Sequence, residues 1–256
     1  MNPYENCLVA IERLLSNVGV KYWADSIRQD IHDWQNKRDT SHHLSTYGGM
    51  GSFNDVWICR ENRNNVTEAQ EAWAQSLFDW LKAVAFYLAR HPLDRLSAKQ
   101  LRGRVGSNDS VLAAFVGGGN VHSEYRGLSD TVERLHGWRC AECGHCEVTN
   151  ADLERYIAAS LMPELVFQAS ETLTLDALVD RVLNLQIPQL ANIRDDLEAV
   201  VKSSGITFHK RDGWMRPCPS CGSKDTGLYR WRLMANKPRR FEASDDNLPF
   251  VKKITI

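Results

Sequence analysis

Apolar residues recur at helical spacing over three stretches of the first ninety positions. Leu8, Ile11, Leu14, Leu15 and Val18 predict a helix over 5–18, ended by Gly19. Trp23, Ile27, Ile31 and Trp34 predict a second over 21–36, and the very short turn between the two favours an antiparallel helical hairpin. Trp73, Leu77, Trp80, Leu81, Val84 and Leu88 form the buried stripe of the longest helix, 68–90, with Pro92 beyond its end. Between the second and third helices, Tyr47-Gly48-Gly49-Met50-Gly51-Ser52-Phe53-Asn54-Asp55 precedes the apolar run Val56-Trp57-Ile58-Cys59. This reads as a glycine turn feeding a short strand.

Patterning is weaker over 94–136. Ser97 to Arg104 suits a helix, Gly117-Gly118-Gly119-Asn120 a connector, and Ser129 the cap of a helix through His136. Helical spacing returns at 151–162, with Leu153, Ile157 and Leu161 behind an Asn150 cap, and at 174–185, with Leu175, Leu178, Val182 and Leu185. Pro188 opens a third helix through Ser203, which Gly205 ends. Ile206-Thr207-Phe208 and Trp214-Met215-Arg216 flank an Asp212-Gly213 turn and predict a hairpin. Gly227–Met234 and Leu248–Ile256 alternate as strands. Helix, helix, short turn, helix and hairpin is the order of a winged helix-turn-helix. Its third helix, however, carries Asp195, Asp196 and Glu198 against Arg194 and Lys202, a poor surface for the phosphates lining a DNA groove. A winged helix here would pack against protein.

Two pieces of the chain match each other: Cys140-Ala-Glu-Cys143-Gly144 and Cys218-Pro-Ser-Cys221-Gly222. Two residues between cysteines let a tight turn aim both sulfurs at one metal, and the following glycine permits the left-handed backbone that finishes the turn. Together the knuckles supply four thiolates, the ligand set of one closed, structural zinc site. The 74 residues between Cys143 and Cys218 exceed an ordinary loop, so the metal is expected to clasp a folded insertion. Cys143-Gly-His-Cys146 is an overlapping CxxC, which leaves His145 and Cys146 as alternative ligands. Cys7, in a helix, and Cys59, in the expected strand, suit buried packing positions. Seven cysteines, an odd number, with CxxC spacing argue against a secreted disulfide framework. With no signal segment and no apolar run of membrane-spanning length, a cytoplasmic protein is expected.

The fold class expected is α+β: a helical domain with a glycine turn over 1–92, a connector or helical region over 93–136, and a zinc-ribbon domain over 137–256 enclosing a helical insertion at 150–205. The 256 residues carry a net charge of −1, which argues against a nucleic-acid footprint spread over the whole surface. Residues 209–253, however, hold 11 Lys+Arg against 5 Asp+Glu. Lys210, Arg211, Arg230, Trp231, Arg232, Arg239 and Arg240 put cations and aromatics together there, which suits contact with a partner or with nucleic acid. Strand alternation alone would place the arginines outward and the aromatics inward. Gly48, Gly49, Gly51, Ser52, Asn54 and Asp55 suit either a structural turn or an anion-binding loop. No GK[ST] follows them, so a Walker-type loop is excluded.

Trp23 in the second helix and Gly48-Gly49-Met50-Gly51-Ser52-Phe53-Asn54-Asp55 ahead of an apolar run resemble a bacterial domain of uncharacterised function with a GGMGSxND turn. The resemblance covers residues 5–90, and small stand-alone members look like immunity or accessory proteins of bacterial conflict systems. No GxSxG or HExxH pattern is present. The expectation is a non-catalytic module that binds a protein partner without a membrane. The alternatives are a nucleic-acid-binding regulator using the basic C-terminal region, and an enzyme whose site is assembled only in space.

Overall fold

The computed structural model describes residues 2–90, 134–172, 175–186, 190–209, 217–234 and 238–244. The expected helix over 97–104, the glycine connector at 117–120, the return strand at 214–216, the strand from 248, and Lys210 and Arg211 lie outside them. The fold is mixed α and β, with seven α-helices and one five-stranded sheet among the described residues. The chain divides into two compact units, one of residues 1–126 with 161–187, the other of 127–160 with 188–256.

The first unit is helical. Helix α1 (Pro3–Asn17) begins behind Asn2, whose side chain accepts the Tyr4 amide. Gly19 follows it at φ +83°, which lets the chain reverse directly into α2 (Lys21–Lys37). A short α3 (Ser41–Ser45) precedes the glycine segment, and α4 (Glu68–Arg90) is the long helix its apolar stripe predicts. The apolar face of α1, from Cys7 through Val18, is wholly buried against α2, α4 and the later helix α6 (Leu175–Leu183). Trp73, Leu77, Phe78, Leu81 and Val84 of α4 and Leu178, Val179 and Val182 of α6 close this core. The Arg13 guanidinium bridges Asp176 at 3.2 Å and Asp180 at 2.6 Å, tying α1 to α6 at the surface.

The strand expected at 56–59 does not form. A 3-10 turn, Phe53–Asp55, precedes it, and Val56–Cys59 is followed by turns rather than a partner strand. Val56, Ile58 and Cys59 point inward and Trp57 outward, so the alternation is real. The backbone amides are satisfied by side chains: Ile58 N–H donates to Gln75 Oε1 at 2.7 Å and Cys59 N–H to Asn64 Oδ1 at 3.0 Å. Hydrophobic alternation reports sidedness, whereas a strand also needs a ladder partner.

The second unit holds the sheet, in the order β3-β2-β1-β4-β5. Its strands are β1 (Arg134–Cys140), β2 (Cys146–Thr149), β3 (Thr207–His209), β4 (Thr226–Met234) and β5 (Arg240–Ala243). All pairs are antiparallel except β2 with β3, which is parallel. Arg134–His136 therefore begins a strand where a helix end is expected from the sequence; in-register pairing from Arg134↔Arg232 to Cys140↔Thr226 overrides local propensity. Gly137 lies in the middle of β1, where a Cβ would stand 2.5 Å from the Glu147 carbonyl oxygen and 2.9 Å from the Trp231 ring. Only glycine lets those three strands close up. Helix α5 (Asn150–Thr172) contributes its first residues to this unit, and α7 (Leu190–Ser203) packs on β3 and β5. The α5 cap is Thr149 rather than Asn150. Thr149 Oγ1 and N–H both meet Asp152 Oδ2, at 2.6 and 3.0 Å, as a capping box. Asn150 instead accepts from Arg194.

Candidate metal centre

The two knuckles are built alike. In each, the first cysteine's carbonyl accepts the N–H of the glycine four residues on: Gly144 to Cys140 at 3.0 Å and Gly222 to Cys218 at 2.8 Å. In each, the first cysteine's N–H donates to the carbonyl five residues on: His145 at 2.8 Å and Ser223 at 2.7 Å. Gly144 and Gly222 take φ +72° and +73°, the left-handed conformation that spares a side chain its steric cost. The first knuckle turns β1 into β2, and the second leads into β4, which pairs with β1. The sheet thus brings together cysteines distant in sequence.

The four sulfurs of Cys140, Cys143, Cys218 and Cys221 lie within 4.8 Å of one another, with Cys140–Cys221 and Cys143–Cys218 each at 3.6 Å. Tetrahedral coordination with metal–sulfur bonds of about 2.3 Å requires sulfur–sulfur edges of about 3.8 Å. The cluster therefore has the dimensions of a four-thiolate metal site. Cys140 and Cys218 are buried and Cys143 and Cys221 exposed, so one side of the cluster faces solvent. Its electrostatics separate the thiols. Cys143 is pulled down to about 7, first by the backbone N–H of His145 and then by the neighbouring thiols. Cys221 is pushed up to about 12: the Ser223 N–H lowers it, but the Cys143 sulfur, burial and the other thiols outweigh that donor. Four thiolates at this spacing do not all ionise without a cation among them.

Cys146 stands outside the cluster. Its sulfur donates to the Gly144 carbonyl at 3.4 Å, and burial raises its thiol. Cys7 and Cys59 are buried, and burial raises both thiols.

The glycine turn uses its polar groups internally. Ser52 Oγ accepts the Asn54 N–H, Asp55 Oδ2 accepts the Ser52 N–H at 2.9 Å, and Asn54 Nδ2 donates to the Tyr47 carbonyl at 2.8 Å. Gly49 and Gly51 hold φ +87° and +77°, and Gly48 is exposed beside them. The Asp55 carboxylate thus occupies the Ser52 amide. In β4, Trp231 is buried while Arg232 is exposed and Arg230 half-buried, so the aromatic points inward. Arg239 and Arg240 are exposed, and Arg240 pairs with Glu242.

A buried network escapes the sequence. Asp30 of α2 receives His42 at 2.5 Å and His43 at 2.8 Å, and His43 meets the Tyr47 hydroxyl at 3.1 Å. Asp30 and His43 are inaccessible to solvent. An aspartate on the inward face of α2 was the available signal, since a charge there requires a partner.

Residues 16–67 match the model of a domain of unknown function (DUF6966). No curated protein and no solved structure matches the chain. The chain is similar to that family over the end of α1, α2, α3 and the glycine turn, and the cysteine cluster lies outside the matched residues.

Proposed function

We propose that this chain is a zinc-containing, non-catalytic module that binds a protein partner, as an immunity or accessory component of a bacterial conflict system. The four-cysteine cluster carries the reading. Four soft thiolates at tetrahedral spacing favour zinc, and a closed shell leaves no position for a substrate, so the metal acts on folding. Two knuckles joined through β1, β2 and β4 make the second unit a zinc ribbon in this reading. None of the seven cysteines is in a disulfide, which fits a reducing, cytoplasmic compartment. No helix among the described residues is long and apolar enough to cross a membrane.

A protein partner is supported by large apolar side chains left in solvent on the first unit: Met50 fully, Tyr22 at 75% and Trp57 at 49%. Trp57 and Trp23 also line a shallow groove of about 270 Å³ with Val20, Gly51 and Val56. The conflict-system context rests on the resemblance of the GGMGSxND turn. For nucleic acid the support is thinner. Arg232, Arg239 and Arg240 are exposed, but Trp231 is buried and offers no stacking face.

Zinc K-edge absorption of the purified full-length chain should show sulfur scatterers at about 2.3 Å, lost in Cys218→Ser. A metal-free chain of unchanged melting behaviour would refute the structural role. Co-purification with a protein encoded by a flanking gene should be abolished by Trp57→Ala with Met50→Ala, without loss of stability. Binding to DNA or RNA that falls steeply with salt would instead favour the nucleic-acid reading.

A further inference from the structure

We propose that His145, Glu147 and His209 form a second divalent-cation site, distinct from the cysteine cluster and open to exchangeable ligands. It does not depend on the binding-module reading. Strand pleating places the three residues together. His145, Glu147 and Thr149 alternate with Cys146 and Val148, so they share one face along β2. The parallel register pairs Glu147 with Thr207 and Thr149 with His209, setting His209 diagonally across from Glu147 on that face. One donor atom from each residue lies within 4.8 Å of the others.

Both imidazoles converge on one carboxylate oxygen. His209 Nε2 lies 3.0 Å and His145 Nε2 3.8 Å from Glu147 Oε2. Despite the short distance, His209 does not meet hydrogen-bond geometry there. The Nε2 atoms of His145 and His209 are buried with no hydrogen-bond partner among the described residues. Buried polar nitrogens without partners are uncommon and call for a ligand. In the tautomer that carries its proton on Nδ1, an imidazole turns a lone pair from Nε2 toward the carboxylate, which only accepts, and that lone pair is free for a cation. A cation between them gives both imidazole nitrogens a partner beside the carboxylate. Bonds of 2.0–2.2 Å imply donor–donor edges of about 3.0 Å for octahedral and about 3.4 Å for tetrahedral sites. The observed 3.0 and 3.8 Å straddle these, within reach of a small rotation of the His145 ring.

The first knuckle positions this site. The His145 carbonyl accepts the Cys140 N–H and its own N–H reaches the Cys143 sulfur, which fixes its backbone and leaves the ring free to face Glu147. The second knuckle carries Ser223 at the equivalent place and has no such ring. Two imidazoles and one carboxylate suit zinc, cobalt, nickel or ferrous iron rather than magnesium or calcium. Three protein donors leave positions for water or an external ligand, unlike four thiolates.

Cobalt(II) titration of the apo full-length chain tests this, because the two centres differ in spectrum. Thiolate ligation gives intense charge-transfer absorption, and a nitrogen–oxygen site gives only weak d–d bands. Wild type should bind two cobalt ions per chain, the second adding no charge-transfer intensity. His209→Ala and Glu147→Gln should each bind one, with the charge-transfer band intact, which also reports that the fold survives. Cys218→Ser should lose the charge-transfer band. One cobalt per wild-type chain at saturation overturns the proposal. So does a second equivalent that persists in both His209→Ala and Glu147→Gln, since the ion would then sit elsewhere. Failure of the four-thiolate reading is separately visible as a wild-type spectrum without charge transfer.

Discussion

Replacing Gly137 by alanine tests the packing of the sheet most directly. The added Cβ would lie 2.5 Å from the Glu147 carbonyl oxygen, 2.8 Å from Val148 Cγ2 and 2.9 Å from Trp231 Cζ3. Ordinary contact begins near 3.4 Å, so the carbonyl must yield by about 0.9 Å. That carbonyl belongs to β2, which is held by β1 on one side and β3 on the other, and it cannot swing away as a flexible side chain would. Overpacking of this kind costs about 3 kcal/mol, the upper end of its usual range. Alanine also loses less conformational freedom than glycine on folding, which returns about 0.4–1 kcal/mol. The net expectation is a loss of about 2 kcal/mol. Urea unfolding of the metal-loaded protein should show a midpoint lowered by about 1 M at unchanged slope. Gly48→Ala, with nothing within 4 Å of its Cβ, is the neutral control. An unchanged or raised midpoint in Gly137→Ala would refute the close approach of β1 to β2 and Trp231.

Removing one knuckle thiolate, as in Cys143→Ser, should abolish metal retention and hydrogen-exchange protection of β1 and β4 while α1 and α4 keep theirs. Structural zinc contributes about 10–16 kcal/mol, as much as the whole stability of a domain. Asp30→Ala strands two histidines around a vacated buried charge and should cost about 3–5 kcal/mol in chemical denaturation. Arg13→Ala removes a half-exposed pair of contacts and should cost no more than about 1 kcal/mol. Burial lowers the pKa of His136, with the Arg230 charge adding to it. The native state then binds fewer protons than the unfolded state. Its contribution is therefore complete above the unfolded value of about 6.5 and is lost as pH falls through the lowered native value. His136→Phe should flatten that part of the stability–pH curve.

The helices of the first unit were legible because each carries one wide apolar stripe, and the bounds of α1, α2 and α4 fall within two residues of those expected. The knuckles were legible because two cysteines, a two-residue gap and a left-handed glycine are local requirements. Less was visible where partners are distant. β1 reads as a helix end because its strand character comes from β2 and β4, and β2 and β5 are four residues each, too short for alternation to register. Val56–Cys59 has a strand's sidedness but no neighbour, and α5 runs ten residues past its expected end.

What the chain determines by itself is chemistry held within a turn or along one helix: the thiolate pairs, the buried stripes, and the glycines that let the backbone reverse. The tertiary structure alone decided what those pieces meet. Pairing of β1 with β4 brings Cys140 and Cys143 to Cys218 and Cys221. Parallel addition of β3 to β2 carries His209 to Glu147 across 62 positions of sequence. The α2–α3 turn brings His42 and His43 to Asp30. The physical reason is range. Turn and helix preferences are fixed by neighbours a few residues apart, whereas a metal site or a buried carboxylate is fixed by whichever strand or helix packs alongside.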